Sequence, residues 1–163
     1  MDINSSEEIW EFFDNQRINI SVDYLSNWNL VGLSLEVSNS LYSDLFPDAV
    51  EGTLFSFSDG YNLETHLIQG EGYWLRLNDA GTTNISGTSI NDISIGLSVG
   101  WNLIAGISHP INLSEIQDLD EIIVPGTIYG FTTEGYSNTE IIEPGRGYWI
   151  RANSSGSITL IDN

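Results

Sequence analysis

The sequence predicts an all-β, or mainly β, fold of two pseudo-equivalent modules, each a small sheet or partly closed barrel with one short helix. Three observations carry this. The string Gly72-Tyr73-Trp74-Leu75-Arg76-Leu77-Asn78 returns as Gly147-Tyr148-Trp149-Ile150-Arg151-Ala152-Asn153. Several stretches alternate apolar and polar residues with the period of two that marks a half-buried strand. Gly, Asn and Asp punctuate these stretches at short intervals, as hairpin turns require.

The repeat can be followed along the chain. Trp28-Asn29-Leu30 matches Trp101-Asn102-Leu103 at an offset of 73 residues, and Gly32-Leu33-Ser34 matches Gly106-Ile107-Ser108 at 74. Gly52-Thr53-Leu54-Phe55-Ser56-Phe57 matches Gly126-Thr127-Ile128-Tyr129-Gly130-Phe131 at 74, and Gly60-Tyr61 matches Gly135-Tyr136 at 75. The inserted residues fall in expected turns. The expected organisation is one module over residues 18–89, a second over 90–163, and an amino-terminal piece over 1–17 that is a strand or a helix and resembles the last strand of a preceding copy.

Each module opens on an alternating strand, Ile18-Asn19-Ile20-Ser21-Val22 or Ile93-Ser94-Ile95, which runs into Trp-Asn-Leu. Residues 38–50 and 112–123 approximate helical spacing through Leu41, Leu45 and Phe46, or Leu113, Ile116 and Leu119, after Ser or Asn caps. Aromatic strands follow at 54–58 and 128–132, with turns at Asp59-Gly60 and Glu134-Gly135. The order closes with strands at 63–68 or 139–142, a Gly-flanked turn, the Gly-Tyr-Trp strand, and a last strand near 83–85 or 157–161.

Composition bounds the function. The chain has 163 residues, of which 40% are hydrophobic, enough for a real core. With 23 acidic residues, four Arg and no Lys, its formal charge is −19. That charge repels phosphate backbones and anionic membranes, so nucleic acid is not an expected partner. Cysteine is absent, which removes disulfides and thiolate metal sites. The start lacks the basic and apolar regions of a signal peptide, and no apolar run is long enough to span a membrane. The expectation is an intracellular protein or a piece of a longer secreted chain, without membrane insertion.

No catalytic set is evident. His66 and His109 fall at non-matching places, and no Gly-x-Ser-x-Gly elbow lies near either. Asp118, Asp120 and Glu121 form a weak Ca²⁺ candidate, but the Asp-x-Asp-x-Asp-Gly loop is missing and a solvated acidic cluster is preferred. No cofactor is expected. Gly70-x-Gly72 and Gly145-x-Gly147 precede strands and read as tight turns, not phosphate loops. Paired carboxylates for glycoside hydrolysis stay open, because their separation in space decides that reading.

The aromatic residues are the remaining candidates. Trp28 and Trp101 are expected in the core. In the Gly-Tyr-Trp strand, alternation puts Tyr73, Leu75 and Leu77 on one face, and Trp74 with Arg76 on the other. Trp74 and Arg76, and likewise Trp149 and Arg151, either cover the boundary between modules with a cation–π contact or form an exposed platform on which a sugar ring stacks. Unpaired Trp10 is a third stacking candidate.

The chain resembles a tandem repeat of large secreted and surface proteins of bacteria and archaea, bracketed by a Gly-Trp-Asn-Leu-Ile opening and a Pro-Gly-x-Gly-Tyr-Trp-Ile close. Gly100-Trp101-Asn102-Leu103-Ile104 and Pro144-Gly145-Arg146-Gly147-Tyr148-Trp149-Ile150 carry the likeness. The first copy departs from it, with Asn27 before Trp28 and Gln69 before Gly70. The resemblance implies an extracellular or cell-surface setting and supplies no chemistry. The expected function is a non-catalytic structural, adhesion or spacer module of a larger extracellular protein, whose partners are polysaccharide or neighbouring domains. The alternatives are a carbohydrate-binding module using the Trp and Arg faces, and a glycoside-acting enzyme.

Overall fold

The computed structural model describes residues 16–162, so the amino-terminal expectation, including Trp10, lies outside the described residues. The first half contains Arg17–Tyr24 (β1), Asn27–Gly32 (β2), Leu35–Glu36 (β3), the helix Tyr42–Leu45 (α1), Phe55–Phe57 (β4), Tyr61–Leu63 (β5), Gly72–Leu77 (β6) and Gly81–Ser89 (β7). The second contains Asp92–Leu97 (β8), Gly100–Ala105 (β9), Ile111–Asn112 (β10), a 3-10 turn at Leu113–Glu115, Tyr129–Thr132 (β11), Gly135–Asn138 (β12), Ile141–Ile142 (β13), Gly147–Ala152 (β14) and Gly156–Ile161 (β15).

The protein is mainly β, built of several small antiparallel sheets, and among the described residues none closes into a barrel. In the first half the strand order is β2-β6-β4-β5; in the second it is β9-β14-β11-β12. Beside each four-stranded sheet lies a ladder formed by the first and last long strands of that half, β1 with β7 and β8 with β15. Each half also has its own apolar core. One gathers Val22, Tyr24, Val31, Leu33, Phe46, Leu54, Tyr73 and Leu75, and the other Ile95, Leu97, Ile107, Ile128, Ile142, Tyr148, Ile150 and Leu160. Alternation places these residues as expected: Tyr73 and Leu75 are buried, whereas Arg76 is exposed and Trp74 half-buried.

The Asn of Trp-Asn-Leu is a turn clamp. Asn29 accepts from the Leu25 N–H and donates to the carbonyls of Leu25 and Asn27, and Asn102 does the same with Ser98 and Gly100. The turn needs a left-handed residue just before Trp, with φ 69° at Asn27 and 95° at Gly100. Asn is the side chain that best tolerates that region, which accounts for Asn27 in place of Gly.

The helices are shorter than helical spacing suggested. In the first half, Pro47 pushes Phe46 out of the helical region, to φ −124° and ψ 83°, and the helix stops after four residues. In the second, Ile116 turns extended at ψ 127° and Gln117 pairs with Thr159, so the edge of the β8–β15 ladder captures the segment. The strand expected over 63–68 also fails to form. β5 ends at Leu63, and beyond it the Thr65 carbonyl accepts from Tyr42 N–H while Leu67 N–H donates to Ser40.

The halves meet through backbone at close range. The Gly32 N–H donates to Gly145 O at 3.2 Å and the Ala105 N–H donates to Gly70 O at 3.1 Å, a reciprocal pair joining the start of each Gly-Tyr-Trp strand to the other half. Buried Ser34 and Ser108 lie across the same boundary, with Ser34 Oγ donating to Gly106 O and Ser108 Oγ donating to Ser34 O. The Tyr24 hydroxyl donates to Gly145 O, and the Arg146 guanidinium lies 5.7 Å from the Tyr24 ring centroid while its Nη2 donates to Asp23 O.

Burial pushes the Tyr24 phenol well above its ordinary value, and burial does the same to Tyr73. In the unfolded chain these groups ionise near pH ~10. A group whose folded pKa is raised keeps its full contribution below the unfolded value and loses it as pH rises. The melting temperature is therefore expected to fall between pH 10 and 11.5 in Tm scans, and Tyr24→Phe to flatten part of that fall; equal alkaline slopes in the two proteins would contradict the assignment.

Candidate ligand-binding surface

The outer face of each four-stranded sheet carries a set of aromatic side chains placed by register. In the first half, Trp28 on β2 stands opposite Arg76 on β6, Trp74 stands opposite both Leu30 and Phe55, and Phe57 on β4 opposes Tyr61 on β5. In the second half, Trp101 opposes Arg151, Trp149 opposes Leu103 and Tyr129, and Phe131 opposes Tyr136. Directly opposed residues project to the same face, so each sheet presents two Trp, three other rings and one Arg together.

Ring geometry is nearly the same in the two sets. Trp28 and Trp74 sit 6.4 Å apart at 89°, and Trp101 and Trp149 sit 6.4 Å apart at 88°. The sets also interlock across the boundary, with Trp74 edge-on to Phe131 at 4.9 Å and Trp149 edge-on to Phe57 at 5.0 Å. Edge-to-face pairs of this kind contribute about 0.5–1.5 kcal/mol each beyond burial. Trp74 and Trp149 therefore hold the halves together and still keep part of each indole open to solvent.

Two open wells result. One, of about 430 Å³, is lined by Trp28, Phe55, Tyr61, Trp74 and Phe131. The other, of about 400 Å³, is lined by Phe57, Trp101, Tyr129, Tyr136 and Trp149. Each takes four rings from one half and one from the other, and the matched positions correspond throughout. No carboxylate or His lines either well.

This corrects two expectations. Trp28 and Trp101 are not core: they are 38% and 42% exposed, because the residues that fill the core below them are the alternate ones. Arg76 does not cap Trp74 by a cation–π contact; its Nε donates to Asn27 Oδ1, and among the described residues it is Arg146 that covers a ring, that of Tyr24. Strand alternation offers a partial signal for the outward Trp, since Trp28 and Trp101 adjoin the clamps Asn29, which is buried, and Asn102, which is half-buried.

The Ca²⁺ candidate does not assemble. Asp118 uses both carboxylate oxygens to accept from the Ile122 and Ile123 N–H groups, at 2.8 and 2.9 Å. Among the described residues no group of three His, Asp or Glu converges on a metal position. His66 lies against Thr65 Oγ1, and half-buried His109 is 3.7 Å from Asp162, so neither joins the wells. A polar depression of about 520 Å³ lies between the β1–β2 turn and the β11–β12 hairpin, but its cation, Arg146, is already held by Asp23 and Tyr24.

The fold and this surface define a mainly β protein with paired aromatic wells. Among the described residues no helix is long and apolar enough to cross a membrane. Comparison with protein-family models, with curated proteins and with solved structures finds no match to the chain.

Proposed function

We propose that the chain is a non-catalytic adhesion module of a larger extracellular protein, which holds polysaccharide on its aromatic face. The observation that supports this most is the pair of matched wells, in which large rings stay open to water although each half has a complete core of its own. Exposed aromatic rings gathered together at matching positions, and not scattered singly, are what an interaction site presents. A spacer alone would not need Trp28, Tyr61, Trp101 and Tyr136 exposed at matching positions. Glycoside hydrolysis draws no support from the wells, which lack the carboxylate pair that the reaction requires.

Retention on insoluble polysaccharides tests the reading. The native chain is expected to be retained on at least one, and the double variant Trp28→Ala with Trp101→Ala to lose retention. Loss of an anchoring Trp costs about 2 kcal/mol, roughly thirty-fold in affinity per site. Circular dichroism checks that the variant folds. A native chain that binds no polysaccharide would remove the proposal.

A further inference from the structure

We infer that the two wells are separate sites for one class of ligand, a neutral saccharide ring, and that the second well binds it more tightly than the first. This rests on the adhesion reading above and adds ligand charge, stoichiometry and rank.

The charge of the ligand follows from two opposed fields. Arg76 stands beside Trp28 and Arg151 beside Trp101, so half of the four Arg in a chain without Lys flank the wells at matching places. A guanidinium next to each well disfavours a cationic occupant such as a quaternary ammonium, for which an aromatic enclosure would otherwise serve. The formal charge of −19 disfavours a polyanion, whose many charges meet the field of the whole molecule. What suits both is a neutral ring with one apolar face to lie on an indole and hydroxyl groups on its edge to accept from Arg. The near-perpendicular indoles, at 89° and 88°, make walled wells and not one flat platform, so each receives a ring individually.

Rank follows from two polar differences between the wells. Tyr129 occupies the place that Phe55 has in the first half, which adds a phenol hydroxyl to the lining of the second well. In addition, Arg76 Nε is tied to Asn27, whereas the equivalent neighbour of Arg151 is Gly100, which has no side chain to hold it. The second well thus has one more hydrogen-bonding group and, among the described residues, a less committed guanidinium.

Calorimetric titration of the full chain with neutral β-1,4-linked gluco-, xylo- and manno-oligosaccharides of six residues, against hexagalacturonate and hexameric chitosan, provides the test. A neutral hexamer is expected to fill two sites. Trp101→Ala should leave one weak site and Trp28→Ala one stronger site. Phe55→Tyr, a change too small to endanger folding, should tighten the first site about five-fold, and Tyr129→Phe should weaken the second by a similar factor. A single site per chain, preference for the anionic or cationic hexamer, or equal affinities unmoved by Phe55→Tyr and Tyr129→Phe would overturn the inference while leaving saccharide adhesion standing. No binding by any saccharide would remove both.

Discussion

Gly72→Ala is expected to destabilise the protein by about 3 kcal/mol, at the upper end of the range for forcing an extra carbon into a packed interior. A Cβ at Gly72 would lie 2.5 Å from Ile104 O and 3.0 Å from both Ile104 C and Leu103 Cγ. The nearest obstacle is backbone, held in the β9–β14 ladder where Ile104 pairs with Tyr148. A rotamer change cannot clear it, so the halves must separate locally or β9 must shift. Gly147 stands at the matching place, where a Cβ would lie 2.9 Å from Val31 O, and Gly147→Ala is expected to cost less, about 1–2 kcal/mol. Urea unfolding measures both. A Gly72→Ala midpoint indistinguishable from that of the parent would mean that the boundary is looser than its geometry.

The second large effect is expected at Ser34. Its Oγ donates to Gly106 O at 2.8 Å and accepts from the Gly145 N–H at 2.9 Å, and the residue is 3% exposed. Ser34→Ala leaves a buried donor and a buried acceptor without their partner, and each orphaned group costs about 1–3 kcal/mol. A total of about 2–6 kcal/mol is expected. Ser108→Ala should show a comparable loss, since Ser108 Oγ donates to Ser34 O and accepts from the Ile90 N–H. Thermal unfolding of the two variants decides the matter; a loss below about 0.5 kcal/mol in both, the range of ordinary surface changes, would show that water replaces the hydroxyls.

Both predictions concern residues that the repeat made conspicuous without explaining. Gly-Tyr-Trp reads from sequence as a closing strand, with its Tyr facing a core and its Trp facing away, and that reading needed only the alternation of a pleated strand. The reason for each Gly lies in the other half of the molecule, where β9 passes Gly72 and β2 passes Gly147 closely enough that no Cβ fits. Likewise, the Tyr hydroxyls have a role that composition does not show: Tyr73 accepts from the Ile68 N–H and Tyr148 from the Glu143 N–H, each fastening the turn that precedes its own strand.

What the sequence determined by itself was local and periodic. Alternation set which face of each strand is apolar, Gly and Asn set where the chain turns, and the matched strings set that the second half follows the strand order of the first. Tertiary structure decided the length of the second helix and the fate of the Trp residues. The extended path of Ile116 and Gln117 depends on pairing with β15, which a helical pattern this short cannot outweigh, whereas the stop after Leu45 follows from Pro47, a local signal that the sequence already carries. Trp28 and Trp101 are large and apolar, so size alone assigned them to a core; the cores are already full, and their strand register turns them outward beside Arg76 and Arg151. Each well borrows one ring from the other half, Phe131 or Phe57, so it is complete only once the halves have met. A property made from both copies at once cannot be read from either copy alone.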